Sequence, residues 1–197
     1  GEVVEQSEKL LVAPKCLQNR VLEMIDEEIA HARQNEKAYI GLKMNSLTDR
    51  QLIDALKEAC QAGVKIKMII RGICCILPGI EGKTDNIEVI SVVGRFLEHS
   101  RIFCFGTGEN MKMYIASADW MTRNTENRVE IAAPIYDQKI KNSIYDTLRI
   151  MWKDNLKARI LCSDGTYKKP EIKEGDELID CQNYLRHEYK VGRKIKL

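Results

Sequence analysis

Tyr39-Ile40-Gly41-Leu42-Lys43-Met44, then Asn45-Ser46-Leu47-Thr48-Asp49, then Val64-Lys65-Ile66-Lys67-Met68-Ile69-Ile70-Arg71-Gly72: on this stretch the fold turns. Its first and last segments are short apolar or β-branched runs with the character of strands. Between them Asn45-Ser46-Leu47 reads as a turn, and Thr48 with Gln51 forms a capping box that opens a helix. Leu52, Ile53, Leu56 and Ala59 share the inward face of that helix, and Gly63 supplies the left-handed cap that ends it. Strand, helix and strand within about thirty residues make a βαβ unit, whose strands run parallel. Ligands of open α/β sheets collect at the carboxyl ends of strands. Arg71 is therefore a candidate site residue, with a structural salt bridge as the alternative.

Upstream, Pro14 suits a helix start, and Leu17, Val21, Ile25, Ile29 and Ala32 draw one apolar helical face. His31 near its end reads as solvated. Residues 1–13 are expected to be a connector from missing upstream domains, and 14–197 a single domain. Downstream, the glycines of Pro78-Gly79-Ile80-Glu81-Gly82-Lys83-Thr84 are too close for a phosphate loop, so it reads as a mobile surface loop. Strands follow at Ile87 to Val93, Ile102 to Phe105, Met113 to Ala116 and Arg128 to Ala133, with Met121-Thr122-Arg123-Asn124 leading into a polar turn. Asp137 caps a helix whose stripe of Ile140, Ile144, Leu148, Met151 and Trp152 is read as core. A strand from Lys157 to Cys162 and a helix from about Asp176 to Tyr189 complete the pattern. His187 sits solvated beside a basic tail of Lys190, Arg193, Lys194 and Lys196. The expected class is α/β, a mixed and mostly parallel sheet flanked by helices.

Bulk properties exclude several functions. A net charge of +2 over 197 residues gives no general attraction to nucleic acid or anionic membrane. No apolar run approaches the ~20 residues that span a bilayer, and no signal-peptide pattern opens the chain. Seven cysteines, none in a CxxC pair, fit reduced packing residues of a cytoplasmic protein rather than a disulfide framework or a zinc site. No activating motif surrounds the adjacent Cys74 and Cys75.

The chemistry concentrates in Arg95-Phe96-Leu97-Glu98-His99-Ser100-Arg101, Ser117-Ala118-Asp119-Trp120 and Arg128-Val129-Glu130. The hairpin turn Gly106-Thr107-Gly108-Glu109-Asn110 brings His99 toward Asp119. Arg95, Arg101, Arg123 and Arg128 outnumber the one lysine, Lys112, between Gly94 and Glu130. Arginine's planar fork matches phosphate oxygens, and an imidazole beside a carboxylate suits proton handling. Five acids in the same window cancel the charge, so an anion site there depends on specific geometry. A surface histidine at a strand edge is the alternative.

The order His99-x-Arg101, Ala116-Ser117-x-Asp119 and Glu130 resembles one half of a phospholipase-D-type site, HxKxxxxD followed by GSxN and a later acid. Arginine replaces the lysine, Gly106 the aspartate and Asp119 the asparagine. Those departures argue against a hydrolase while leaving the phospholipase-D-like fold. From about Pro14 onward the chain resembles the C-terminal domain of bacterial polyphosphate kinase. Asn45-Ser46-Leu47-Thr48-Asp49, the run Val64 to Cys74, Asp85-Asn86-Ile87-Glu88-Val89-Ile90-Ser91, Arg95 to Arg101 and Ser117 to Asn124 carry that likeness. The resemblance implies an enzyme that reversibly moves the terminal phosphate of ATP to polyphosphate through a phosphohistidine, with magnesium, between two facing phospholipase-D-like domains. It implies that Arg71 binds the ATP phosphates and that His99 contacts ATP and assists proton transfer. Arg101 and Arg123 are candidates for the polyphosphate path, with Asp119 and Glu130 orienting His99 or those arginines. The phosphohistidine, the Mg2+ ligands and the adenine-stacking aromatic are expected in the preceding domain, and no metal site here. Expected partners are ATP or ADP, inorganic polyphosphate, the upstream domains and, at full length, further copies of the enzyme, without nucleic acid. A cytoplasmic location is expected, with peripheral attachment to the inner membrane left open. Alone, the chain is expected to be inactive. A phospholipase-D-like phosphodiesterase and a non-catalytic polyanion-binding module are the alternatives.

Overall fold

The computed structural model describes residues 9–14 and 16–191. The expected connector up to residue 8 and the basic side chains of Arg193, Lys194 and Lys196 lie outside the described residues. One mixed sheet carries the chain. Its strands are β1 (Leu11–Ala13), β2 (Tyr39–Met44), β3 (Lys65–Ile70), β4 (Ile87–Val92), β5 (Arg101–Phe105), β6 (Lys112–Ala116), β7 (Glu130–Pro134), β8 (Ala158–Leu161) and β9 (Tyr167–Lys168). The helices are α1 (Cys16–Arg33), α2 (Arg50–Gln61), α3 (Thr122–Glu126), α4 (Gln138–Trp152) and α5 (Cys181–Lys190).

In space the strands run β1-β7-β6-β5-β2-β3-β4-β8-β9. The βαβ reading holds: β2 and β3 pair in parallel from Tyr39↔Lys65 to Met44↔Ile70, with α2 as the crossover. β3 and β4 are also parallel. The other pairs described are antiparallel, so the sheet is mixed with its parallel part confined to β2, β3 and β4. For β5 and β6 the cause is connection length, since they are joined by too short a turn for a parallel return.

Alternation along the strands builds a three-layer sandwich. Ile40, Leu42 and Met44, with Ile66, Met68 and Ile70, pack on one face against Leu17, Val21 and Ile25 of α1 and Leu52 and Leu56 of α2. On the other face Ile69, Ile90 and Val92 meet Ile150 and Met151 of α4 and Cys181 of α5. α4 covers its part of the sheet incompletely. Ile140 is exposed, and Trp152, expected in the core, is half-buried, its ring 4.4 Å from the Lys67 ammonium.

Several boundaries move. Leu11 and Ala13 are buried in an edge strand on β7, so the sheet begins within the stretch read as connector. The cap of α2 is Asp49 rather than Thr48. Its carboxylate accepts from Leu52 N at 3.1 Å, from Gln18 Nε2 at 3.0 Å and from Thr125 Oγ1 at 2.8 Å, joining three helices. Gly63 takes the left-handed conformation expected of it, φ 103°. The stretch from Thr122 to Glu126, which leads into the expected polar turn, is the short helix α3. The last helix begins at Cys181, capped by Asp180, later than the expected start near Asp176. The loop at 78–84 closes on Thr84, whose hydroxyl donates to Leu77 O and accepts from Ile80 N. Among the described residues no helix is long and apolar enough to cross a membrane.

Candidate functional site

The carboxyl ends of β2, β3 and β6 and the start of β5 converge on one edge of the sheet. Register places them there: β2 lies between β3 and β5, and Arg101 pairs with Ala116 across the hairpin. Beyond Met44 the chain continues through Leu47, bridged to Cys74 on one side and Trp120 on the other. Trp120 is fully buried against Phe103, ring centres 5.5 Å apart. That anchor brings Asp119 over Asn45.

Asp119 accepts from Asn45 N at 2.7 Å, from Asn45 Nδ2 at 3.0 and 3.2 Å, and from Arg101 through Nε at 3.3 Å and Nη2 at 3.1 Å. Burial acts to raise its pKa, but the hydrogen bonds from Arg101 and Asn45 together outweigh it and hold the carboxyl below its ordinary value. Arg101 also donates from Nη1 to His99 O at 3.0 Å. Arg71 donates from Nε to Asn45 Oδ1 at 2.6 Å, and its Nη2 lies 3.4 Å from His99 Nδ1. With the guanidinium as donor, that ring nitrogen is unprotonated and the imidazole proton sits on Nε2. Gly72 permits the approach of β3 to β2 here, because a Cβ would stand 2.8 Å from Asn45 O.

Beneath His99 lies Lys43, 2% exposed. Its ammonium donates to Ser100 Oγ at 2.8 Å and Ser100 O at 3.2 Å, and lies 3.2 Å from Glu98 Oε2. Gln182 of α5 donates to Glu98 Oε1 at 2.8 Å and to Phe96 O, and accepts from Phe96 N. The His99 segment is thus pinned from below and from the side. Burial lowers the Lys43 pKa, with Glu98 opposing it.

The structure therefore gathers Arg71, His99, Arg101 and Asp119. Arg123 stands exposed on α3, outside this cluster, and among the described residues its side chain has no hydrogen bond or ion pair. Glu130 accepts from Ser117 Oγ and from Asn124 Nδ2, so it braces the end of β6 rather than His99. His31 and His187 are exposed and lie near Glu28 and Glu188. Lys43 and Asn45 were missed from the sequence. The carboxyl-end rule that singled out Arg71 on β3 applies equally to Asn45 after β2, and a lysine within an apolar run was a further signal. Among the described residues no group of three or more His, Cys, Asp or Glu is placed to hold a metal. The cysteines are free; burial pushes Cys104 up to about 12 and raises Cys74, the opposite of activation.

The family described as Polyphosphate kinase C-terminal domain 2 matches residues 10–182. Polyphosphate kinase of Thermosynechococcus vestitus is 51% identical over 85% of this chain and 23% of its own length, and that of Bacillus anthracis 50% identical over 88% and 24%. The chain thus spans about a quarter of the length of these curated relatives. The crystal structure of polyphosphate kinase from Porphyromonas gingivalis superposes with a TM-score of 0.90 at 34% identity, over 97% of this chain and 29% of that one. Nuc from Salmonella typhimurium, a phospholipase D family member, shares the fold at 16% identity, TM-score 0.54, over 82% of this chain and 97% of its own. A match across so much of the chain places it in the polyphosphate kinase family, as C-terminal domain 2.

Proposed function

We propose that this chain forms one wall of the phosphoryl-transfer site of an ATP–polyphosphate phosphotransferase. Arg71 holds the terminal phosphate of ATP, and His99 exchanges a proton through Nε2 with the oxygens passing between donor and acceptor. The reaction is reversible and runs through a phosphohistidine carried outside this chain. The carrying observation is the Arg71–His99 approach, Nη2 to Nδ1 at 3.4 Å, with Arg71 Nε already tied to Asn45. Phosphoryl transfer asks mainly for such positioning and charge stabilisation.

Magnesium, which family membership implies, does not fit the carboxylates of this cluster. Both oxygens of Asp119 are committed to Arg101 and Asn45, and those of Glu98 to Lys43 and Gln182. No step is assigned to the metal here. The Arg101–Asp119 pair also weighs against a phosphodiesterase, because Arg101 has spent Nε and part of both Nη groups on internal partners.

Titration calorimetry of the chain with ATP and with tripolyphosphate tests the proposal. Arg71→Ala is expected to weaken binding about tenfold or more, as loss of a charge-assisted contact requires. Undiminished affinity in that variant would refute the assignment.

A further inference from the structure

Asn45 joins the two charged halves of the site. Its Nδ2 faces Asp119, and its Oδ1 faces Arg71 Nε at 2.6 Å. Chemistry leaves the amide only this orientation. A carboxylate accepts and never donates, so the NH2 must point to Asp119; a guanidinium donates and never accepts, so the oxygen must point to Arg71. The side chain cannot flip without breaking both contacts. It is 7% exposed, and its own backbone N–H is also held by Asp119.

The contacts close into a loop. Arg71 meets Asn45, Asn45 meets Asp119, Asp119 meets Arg101, Arg101 donates to His99 O, and His99 Nδ1 returns to Arg71. Arg71 is only partly buried, and a long side chain at a strand end has many rotamers to choose from. Among the described residues its hydrogen-bond contacts are Asn45 and His99. The short one fixes the guanidinium at Nε, and Nη2 lies beside His99 Nδ1, so the two contacts together set the direction of the fork.

We infer that Asn45 is a positioning residue for the phosphate site: it locks the Arg71 fork toward the phosphoryl group without touching that group itself. The inference rests on the reading of Arg71 as the phosphate-binding residue. It predicts a particular non-additivity, since a residue acting through Arg71 has nothing to position once Arg71 is gone.

The test measures tripolyphosphate binding to the 197-residue chain by calorimetry, for wild type, Arg71→Ala, Asn45→Ala and the double variant. Thermal melts establish folding in each. Asn45→Ala is expected to weaken binding roughly five- to tenfold, the scale of one lost ordering contact. The double variant is expected to bind no more weakly than Arg71→Ala alone. Should Asn45→Ala unfold, Asn45→Ser gives the same comparison, because it keeps a donor beside Asp119 but is too short to reach Arg71. If Arg71→Ala weakens binding while the Asn45 variant does not, the inference fails and the proposed function stands. Multiplying losses in the double variant would mean that Asn45 acts through the fold at large, which overturns the inference as well. If Arg71→Ala binds like wild type, the proposed function fails and the positioning role goes with it.

Discussion

Arg101 and Asp119 face each other across the β5–β6 hairpin with two contacts, Nε at 3.3 Å from one carboxylate oxygen and Nη2 at 3.1 Å from the other. The pair is largely shielded from water, with side chains 13% and 9% exposed. Each charge is therefore costly to strand alone.

Removing the acid should make that cost visible. Asp119→Asn is expected to lower stability by about 3 kcal/mol at neutral pH, the scale of breaking a buried pair. The folded-state pKa lies below the ordinary ~3.9 of an aspartate, so wild type holds this contribution fully above that value and loses it as pH falls through the folded pKa. Urea unfolding at pH 7 and pH 3 checks this: the gap between variant and wild type should narrow in acid.

Lys43 works in the opposite direction. Burial lowers its pKa, so between that value and the ordinary ~10.4 the unfolded chain binds more protons than the folded one. Its contribution to stability thus rises with pH through this window. Lys43→Met is expected to flatten that rise relative to wild type. At neutral pH it should still destabilise by about 2 kcal/mol, because Glu98 and Ser100 lose a charged partner. Stability measured from pH 7 to pH 10.5 distinguishes the two effects.

Arg71→Lys should recover only part of the tripolyphosphate affinity that Arg71→Ala loses. The charge survives, but lysine has no Nε to sit against Asn45 and no planar fork. Calorimetric affinity equal to wild type would show that the fork geometry is irrelevant.

His99 should not carry phosphate. Incubation of the chain with γ-labelled ATP and magnesium, an alkaline quench and mass spectrometry are expected to find no acid-labile label. The Nδ1 lone pair faces Arg71, and the proposed role of the ring is proton exchange rather than attack. Stoichiometric label on His99 would make it the nucleophile.

The parts of the fold read correctly from sequence are those with a long or doubled signal. β2, α2 and β3 combined a strand pattern, an amphipathic helix and Gly63, and α4 announced itself with Asp137, whose carboxylate accepts from Lys139 N and Ile140 N. Leu11–Ala13 and Tyr167–Lys168 are too short to show alternation; only tertiary pairing makes them strands. Thr48 and Asp49 are both competent caps, and the choice fell to Asp49 because Gln18 and Thr125, distant in sequence, hold its other oxygen. The site followed the same rule. Arg71 and His99 stood in recognisable stretches, whereas the role of Asn45 exists only because Asp119, 74 residues away, is folded onto it.

The site straddles a single seam of the sheet, between β2, the edge of the parallel block, and β5, the edge of the antiparallel wing. Each side is local: one a βαβ unit, the other a hairpin. Their junction is not, for it pairs Ile40 with Phe105 and Lys43 with Ile102. Closing so long a loop costs more entropy than forming either local unit, so it is expected late in folding. The contacts from Asn45 to Asp119 and from Lys43 to Ser100 lie across that seam and tighten only once it has closed. Substitutions there should speed unfolding and leave the refolding rate nearly unchanged. The proposed phosphate site would then act as the clasp of the molecule, and an anion bound to it would slow the escape from the native state.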